Sequence, residues 1–256
     1  MNILDKITKA TKERVEHEKK AGLPPQVTES RLPFLFEKSL RANGMSFICE
    51  VKKASPSKGV IAEDFPYLDI AKEYEQAGAD AISILTEPQF FLGDDTYLAE
   101  IRKTVEIPLL RKDFIVDAFQ IEQSARLGAD AILLICAILT PTQISEYIEI
   151  ADKLGIACLV EAHDQAEVET ALKAKARIVG VNNRNLKTFE VDTNNSVRLR
   201  KIVPDDVIFV SESGISTAND VELLRGNGVN AVLVGETLMR SADKTAELNT
   251  LRGGKA

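Results

Sequence analysis

The chain has 256 residues, 45% of them hydrophobic and 28% charged, enough apolar material for one large domain or two small ones with a sizeable core. Its net charge of −7 argues against non-specific nucleic-acid or membrane binding, which needs a basic excess, yet leaves room for an anionic ligand held by a local lysine cluster. No run approaches the roughly 18 apolar residues of a membrane span and the Lys- and Glu-rich N-terminus has no signal-peptide core, so a cytoplasmic protein is expected.

Residues Ile3 to Lys20 predict an exposed helix with a sparse apolar face of Ile3, Leu4, Ile7 and Val15, ended by Gly22 and Pro24-Pro25. A second short helix is expected over about Pro33 to Arg41, after Ser30 and before Asn43-Gly44. From Ser46 the pattern changes. Short apolar or β-branched runs recur at Phe47–Val51, Ala81–Leu85, Ile107–Leu110, Ala131–Ile135, Ala157–Val160, Ile178–Val181, Val207–Val210 and Ala231–Val234. Between them lie segments of helical period, among them Ile70–Gln76, Ala118–Arg126, Ile144–Lys153 and Ala218–Arg225. Continuous apolar runs alternating with helices indicate parallel strands covered on both faces.

Three junctions repeat: Gly78-Ala79-Asp80-Ala81, Gly128-Ala129-Asp130-Ala131 and Gly228-Val229-Asn230-Ala231. Each puts a glycine where a helix needs its left-handed cap. Eight similar units favour a closed (β/α)₈ TIM barrel over an open doubly wound sheet. The expected layout is a single domain: a helical N-terminal extension over residues 1–45 and the barrel over 46–256.

In such a barrel the active site lies where strands end. The first predicted strand ends in Glu50-Val51-Lys52, the third in Lys112-Asp113 and the fifth in Glu161. The sixth ends in Asn182-Asn183-Arg184, the seventh in Ser211-Glu212-Ser213-Gly214 and the eighth in Gly235-Glu236. Strand side chains alternate, so Glu50 and Lys52 share a face, as do Asn182 and Arg184. Any one of these residues alone reads as a solvated strand end. Together they set lysines and carboxylates at one rim, where partial desolvation can make them acids and bases. Ser213, Gly214, Gly235 and Glu236 add a distinct signal, because backbone amides after the last two strands commonly hold phosphate. Lys52 or Lys53, near Ser55-Pro56-Ser57-Lys58-Gly59, can complete the charge.

The absences also count. There is no G-x-G-x-x-G or G-x-x-x-x-G-K-[ST] loop for a nucleotide. His17 and His163 have no second histidine at ligand spacing, so no zinc site is expected. His163 reads as a loop-surface histidine, and Asp113 is a poor metal candidate. Cys49, Cys136 and Cys158 lack C-x-x-C spacing and read as reduced core thiols lying within strands.

The segment Glu50-Val51-Lys52-Lys53-Ala54-Ser55-Pro56-Ser57-Lys58-Gly59 resembles the E-x-K-x-x-S-P-S-x-G signature of the indole-3-glycerol-phosphate synthase family. The resemblance continues through Leu85-Thr86-Glu87, Phe90-Phe91-Leu92-Gly93, Arg111 to Ile115, Leu159-Val160-Glu161, Val181 to Leu186, Ser211 to Ile215 and Val234 to Met239. It covers nearly the whole chain and includes a helical extension before the barrel. Some family members are fused to a phosphoribosylanthranilate isomerase barrel; this chain stops soon after its eighth unit, so the monofunctional form is expected.

The resemblance implies a reaction without metal or organic cofactor, in which 1-(2-carboxyphenylamino)-1-deoxyribulose 5-phosphate becomes indole-3-glycerol phosphate, CO₂ and water. It implies Lys112 as general acid at the ketone oxygen and Glu161 as base. Glu50 would assist and hold the lysines, and Lys52 would bind an anionic group or give the proton at dehydration. Asn182 would bond the substrate, supported by Arg184, Ser213 and Ser55. Phe91, Phe114 and Leu133 would form an apolar slot for the anthranilate ring, and the amides of Ser213, Gly214, Gly235 and Glu236, with Lys52, would hold the phosphate. Glu236 departs from members with serine there, so only its amide is carried over and its carboxylate is expected to point away. A phosphorylated small molecule is the expected partner and a monomer the expected state. The rivals are a catalytically silent phosphometabolite-binding barrel, or another phosphate-binding barrel enzyme. Phosphoribosylanthranilate isomerase, one such enzyme, needs a cysteine–aspartate pair that these cysteines do not supply.

Overall fold

Eight of the apolar runs hydrogen-bond side by side until the last meets the first, in a computed structural model that describes residues 2–27, 31–41, 44–185 and 188–254. After the helices α1 (Ile3–Ala21) and α2 (Leu35–Leu40), the chain enters strand β1 (Ser46–Val51) and a small hairpin of β2 (Ala54–Ser55) and β3 (Gly59–Val60). The remaining barrel strands are β4 (Ala81–Leu85), β5 (Leu109–Lys112), β6 (Ala131–Ile135), β7 (Ala157–Ala162), β8 (Ile178–Asn182), β9 (Ile208–Glu212) and β10 (Ala231–Val234). Between and after them run α3 (Tyr67–Gln76), α4 (Asp95–Arg102), α5 (Phe119–Arg126), α6 (Pro141–Lys153), α7 (Gln165–Lys173), α8 (Asn194–Arg200), α9 (Ala218–Gly226), α10 (Glu236–Arg240) and α11 (Lys244–Leu251). Every barrel pairing is parallel and β1 closes on β10, the TIM barrel expected from the sequence. The run expected at Ile107–Leu110 forms two residues later, because Pro108 has no N–H to give a ladder and the strand starts beyond it.

Two residue sets divide the barrel wall. Ile48, Ala81, Leu110, Ala131, Leu133, Ala157, Leu159, Ile178, Ile208, Val210, Ala231 and Leu233 point inward and pack together. Their neighbours Phe47, Cys49, Ile82, Ile84, Leu109, Ile132, Val160, Val179, Phe209 and Val232 point outward against the helices. Phe36 and Leu40 of α2 join the inward set and are buried, so the short helix plugs the barrel. Each such burial contributes about 1.5–3 kcal/mol.

The repeated junctions do more than turn the chain. Gly78, Gly128 and Gly228 all take positive φ, as the cap expectation required. The acid or amide two residues on then accepts an N–H from the first or second residue of the adjacent strand: Asp80 from Phe47, Asp130 from Leu109 and Asn230 from Phe209, at 2.8–2.9 Å. One local sequence thereby caps a helix and fixes a neighbouring strand.

Helix α1 is less exposed than its composition suggests. Ile7, Thr11 and Val15 are buried, Arg14 grips both oxygens of Asp113 at 2.9 and 2.8 Å, and Lys19 pairs with Asp117 at 2.5 Å. A charged helix can dock when its charges find fixed partners on the barrel. The second helix begins at Leu35 rather than Pro33 and ends at Leu40; Ser30, Asn43 and Leu186 lie outside the described residues. Among the described residues no helix is long and apolar enough to cross a membrane.

Candidate active site

A cavity of about 840 Å³ opens at the carboxyl ends of the strands. It is lined by Glu50, Lys52, Ser55, Phe91, Lys112, Phe114, Leu133, Glu161, Asn182, Arg184, Ser213, Gly214, Gly235 and Glu236, so the residues singled out from the sequence converge on one space. The cause is parity. Glu50, Lys112 and Glu161 each lie two residues beyond an inward-facing core residue (Ile48, Leu110 and Leu159), and Asn182 lies four beyond Ile178, so the strand continues them into the mouth. Helix α1 reaches the same space: Ile3, Leu4 and Ile7 add apolar surface to its wall.

At the centre stands Lys112, its side chain 15% exposed, with Nζ 3.4 Å from Glu212 Oε2 and 3.8 Å from Glu161 Oε2. Burial lowers the ammonium's pKa, but the carboxylates of Glu212, Glu161 and Glu50 outweigh it and raise it above the ordinary lysine value. Lys112 is therefore a cation held in place, fully loaded with its proton. Lys52 Nζ lies 2.5 Å from Glu50 Oε2. Burial raises the Glu50 carboxyl, while Lys52 and then Lys112 lower it, and the lysines win.

Glu212 is the residue that strand-end reading passed over. It is buried, and its two oxygens have no hydrogen-bond partner. Burial pushes its pKa up to about 7, with Lys112 opposing and Glu161 and Glu50 reinforcing the rise. The signal was available, because Glu212 continues the inward line of Ile208 and Val210. Room for it comes from β8: a Cβ at Gly180 would lie 2.2 Å from Glu212 Oε1. A Cβ at Gly235 would similarly lie 2.3 Å from Glu50 Oε2 and 2.8 Å from Lys52 Nζ, so that glycine admits the first-strand pair.

The rest of the mouth divides into an apolar side and a loop-amide side. The rings of Phe91 and Phe114 stand 6.0 Å apart, tilted by 39°, with Leu133 in the same wall. On the loop-amide side Ser213 and Gly214, both lining the cavity, take positive φ, 68° and 83°. Asn183 holds that strained turn, since its Nδ2 donates to Ser213 O and to Ser211 Oγ at 3.0 Å. Glu236 pairs its carboxylate with Arg240 and Lys58, at 3.1 and 3.4 Å, and all three residues line the cavity. Lys58 rides on the β2–β3 hairpin loop, so this pair ties the first loop to the last strand end. Lys53 is not among the residues lining the cavity, and Arg184 donates to Phe189 O at 3.2 Å.

The model of the family described as indole-3-glycerol phosphate synthase matches residues 4–251. The chain belongs to that family. Proteins named indole-3-glycerol phosphate synthase are similar over almost the full length: that of Ruminiclostridium cellulolyticum is 60% identical, covering 98% of this chain and 99% of the relative. That of Endomicrobium trichonymphae is 56% identical over the same shares, and that of Lachnoclostridium phytofermentans is 50% identical over 98% of each. Among solved structures, 3-hexulose-6-phosphate synthase from Salmonella typhimurium has a TM-score of 0.67 at 16% identity, covering 82% of this chain and 97% of the other, which is a likeness of fold alone.

Two expectations about residues in this family member, those for His163 and Cys136, need correction. His163 is no loop-surface residue: its side chain is 19% exposed, with Nδ1 3.1 Å from Glu167 Oε2 and Nε2 3.5 Å from Glu161 Oε1. It follows β7 directly, so the strand's direction carries it under the rim. Cys136 lies just beyond β6 and is half-buried, unlike Cys49 and Cys158, which point outward from the strands into the helix layer. Asp113 is engaged by Arg14, Thr86 and Arg111 and is buried; it serves as an anchor for α1. Among the described residues, no group of three or more His, Cys, Asp or Glu side chains is placed to hold a metal ion.

Proposed function

We propose that this barrel performs the reaction its family is named for: it closes the indole ring of 1-(2-carboxyphenylamino)-1-deoxyribulose 5-phosphate, releasing CO₂ and water. The observation that carries the reading is Lys112, a protonated lysine caged by Glu161 and Glu212 at 3.8 and 3.4 Å on the ends of three rigid strands. The phosphate sits against the amides of Ser213, Gly214, Gly235 and Glu236, with Lys52 near by. The anthranilate ring lies in the slot of Phe91, Phe114 and Leu133.

In this pose Lys112 hydrogen-bonds the ketone oxygen and protonates it as the ring carbon bearing the carboxylate attacks the carbonyl carbon. The new carbon–carbon bond takes the ring's electrons. Scission of the carboxylate bond then returns them, releasing CO₂ and restoring aromaticity. The hydroxyl left on the five-membered ring departs as water with a proton from Lys52, whose charge Glu50 fixes. Glu161 removes a proton from the adjacent CH₂ carbon, and the electron pair left behind completes the indole double bond. Asn182 orients the substrate, with Arg184 and Ser55 supporting it. Fixed dipoles and charges of this kind cost no reorganisation when charge moves, which is where catalytic power resides.

The reading includes a cytoplasmic monomer that needs no metal and binds neither nucleic acid nor membrane; sedimentation of the purified chain tests the oligomeric part. The isomerase rival is disfavoured by Cys49 and Cys158 pointing away from the mouth. The deciding experiment supplies the synthetic substrate and follows indole fluorescence together with CO₂ release. Binding without turnover would favour the silent-barrel reading.

A further inference from the structure

The family's reaction uses Glu161 but gives no task to His163, which lines no part of the cavity. Its placement is nevertheless closely determined. Glu167, one turn into α7, accepts from the His163 backbone N–H at 2.8 Å and contacts Nδ1 at 3.1 Å. Asn195 of α8 donates to the His163 carbonyl at 3.0 Å. The opposite ring nitrogen, Nε2, is buried, has no hydrogen-bond partner, and lies 3.5 Å from Glu161 Oε1. A buried polar atom without a partner is unusual and asks for a reason. The other oxygen of Glu161 faces Lys112 at 3.8 Å. One carboxylate thus stands between two cations, one in the cavity and one behind it.

We propose that His163 is a positioning residue for Glu161: clamped from behind by Glu167, its imidazolium holds one carboxylate oxygen so that the other is presented to Lys112 and the substrate. The inference rests on the proposed reaction only for its kinetic part.

The charges around the ring support it. Burial lowers the imidazole's pKa, but the bond to Glu167 and the charges of Glu161, Glu167 and Glu212 raise it above 6.5 overall. Lys112 stands on the cavity side, beyond Glu161. Asp164, next in the chain, spends its carboxylate on the Glu167 N–H at the start of α7. The Cys136 thiol, beside Glu167, is held neutral, with burial and the nearby Glu167 and Glu161 pushing its pKa up to about 12. His163 is therefore held toward its charged form by the carboxylates that face it. A cation at this distance holds a carboxylate ionised to lower pH, so removing it moves the Glu161 titration upward.

The test uses the full-length chain with H163Q and E167Q. His163→Gln should lower kcat about 10- to 100-fold through misplacement of the base, with KM within about twofold. The acid limb of its pH profile should move up by about one pH unit. Glu167→Gln should shift it the same way by less, since His163 then loses its proton earlier. The ¹³C resonance of the Glu161 side-chain carboxyl, titrated by NMR without substrate, should move upward in both variants. That measurement stands even if wild type forms no indole product, an outcome that would sink the proposed function alone. If H163Q folds poorly, E167Q carries the test. An unshifted Glu161 titration in the variants, or a kcat within twofold of wild type with an unchanged acid limb, would overturn the positioning role.

Discussion

Replacing Glu212 by Gln should make the protein more stable and less active, and the stability gain should depend on pH. The carboxyl is 1% exposed and its oxygens have no hydrogen-bond partner. Burial raises its pKa from 4.5 to about 7 despite the attraction of Lys112. A carboxyl with a raised folded pKa binds its proton more tightly in the native state than in the unfolded one. Stability is therefore greatest below pH 4.5 and is lost as pH rises through about 7. The difference between the two values corresponds to about 3 kcal/mol. Gln has no charge to desolvate. The variant should match wild type near pH 4.5 and exceed it by up to about 3 kcal/mol above pH 7, less the cost of an unbonded amide.

In a chain of this size that gain raises Tm by roughly 6–12 °C. Urea unfolding at about pH 5 and about pH 8.5 measures the difference directly. Activity should fall about 100-fold or more, because Lys112 loses its nearest anion and with it a fixed position. A variant whose stability difference from wild type is the same at both pH values would show that Glu212 carries no unrelieved charge, and the reasoning would fail.

Lys112→Ala should lose about 10²–10⁴ in kcat; a variant keeping more than about a tenth would move the general-acid role to Lys52. Its melting temperature should stay close to wild type near about pH 6, where Glu212 can take up a proton in place of the lost cation, and fall at about pH 9. Glu161→Gln keeps the shape and removes the base, so kcat and kcat/KM should drop together by a similar factor. Deleting the residues before Gly22 should leave a folded barrel with a raised KM or lowered kcat, since Ile3, Leu4 and Ile7 wall the cavity and Arg14 grips Asp113 beside Lys112; unchanged kinetics would exclude a role for α1. Activity should survive exhaustive chelation, and a loss restored by a divalent ion would refute the metal-free reading.

The barrel was legible because its signals are local and repeated. An apolar run, a helical period and, at three junctions, a Gly-x-Asp/Asn-Ala sequence each report on a few neighbouring residues, and eight strand–helix units close a barrel whatever the detail between them. The strand-end residues were legible for a similar reason: Glu50 and Lys52, or Asn182 and Arg184, are two apart, and period two fixes their common face. What resisted reading was everything that depends on contact across the barrel. The buried state of Glu212 depends on Gly180 one strand away, and the reach of His163 depends on a strand continuing two residues past its expected end. Helix α1 looks like a solvent helix until Asp113 and Asp117 supply partners for Arg14 and Lys19.

Glu212 and Lys112 together explain why such a site is built on strand ends and not on loops. A buried carboxylate with a raised pKa tends to shed its charge by moving to water, and a lysine stem has four rotatable bonds with which to follow it. On a loop, both would relax into a solvated ion pair of little consequence. Here each Cα belongs to a parallel ladder, and Glu161 and Glu212 emerge from β7 and β9 on either side of β8, whose Gly180 leaves room for Glu212. The fold therefore holds three carboxylates near one ammonium at a distance they would not keep in water. That geometry keeps Lys112 charged while Glu212 sits near the pH at which it can exchange a proton. The stability lost at Glu212 and the proton-transfer capacity gained are one electrostatic fact, which is why a single Glu212→Gln substitution should reverse both.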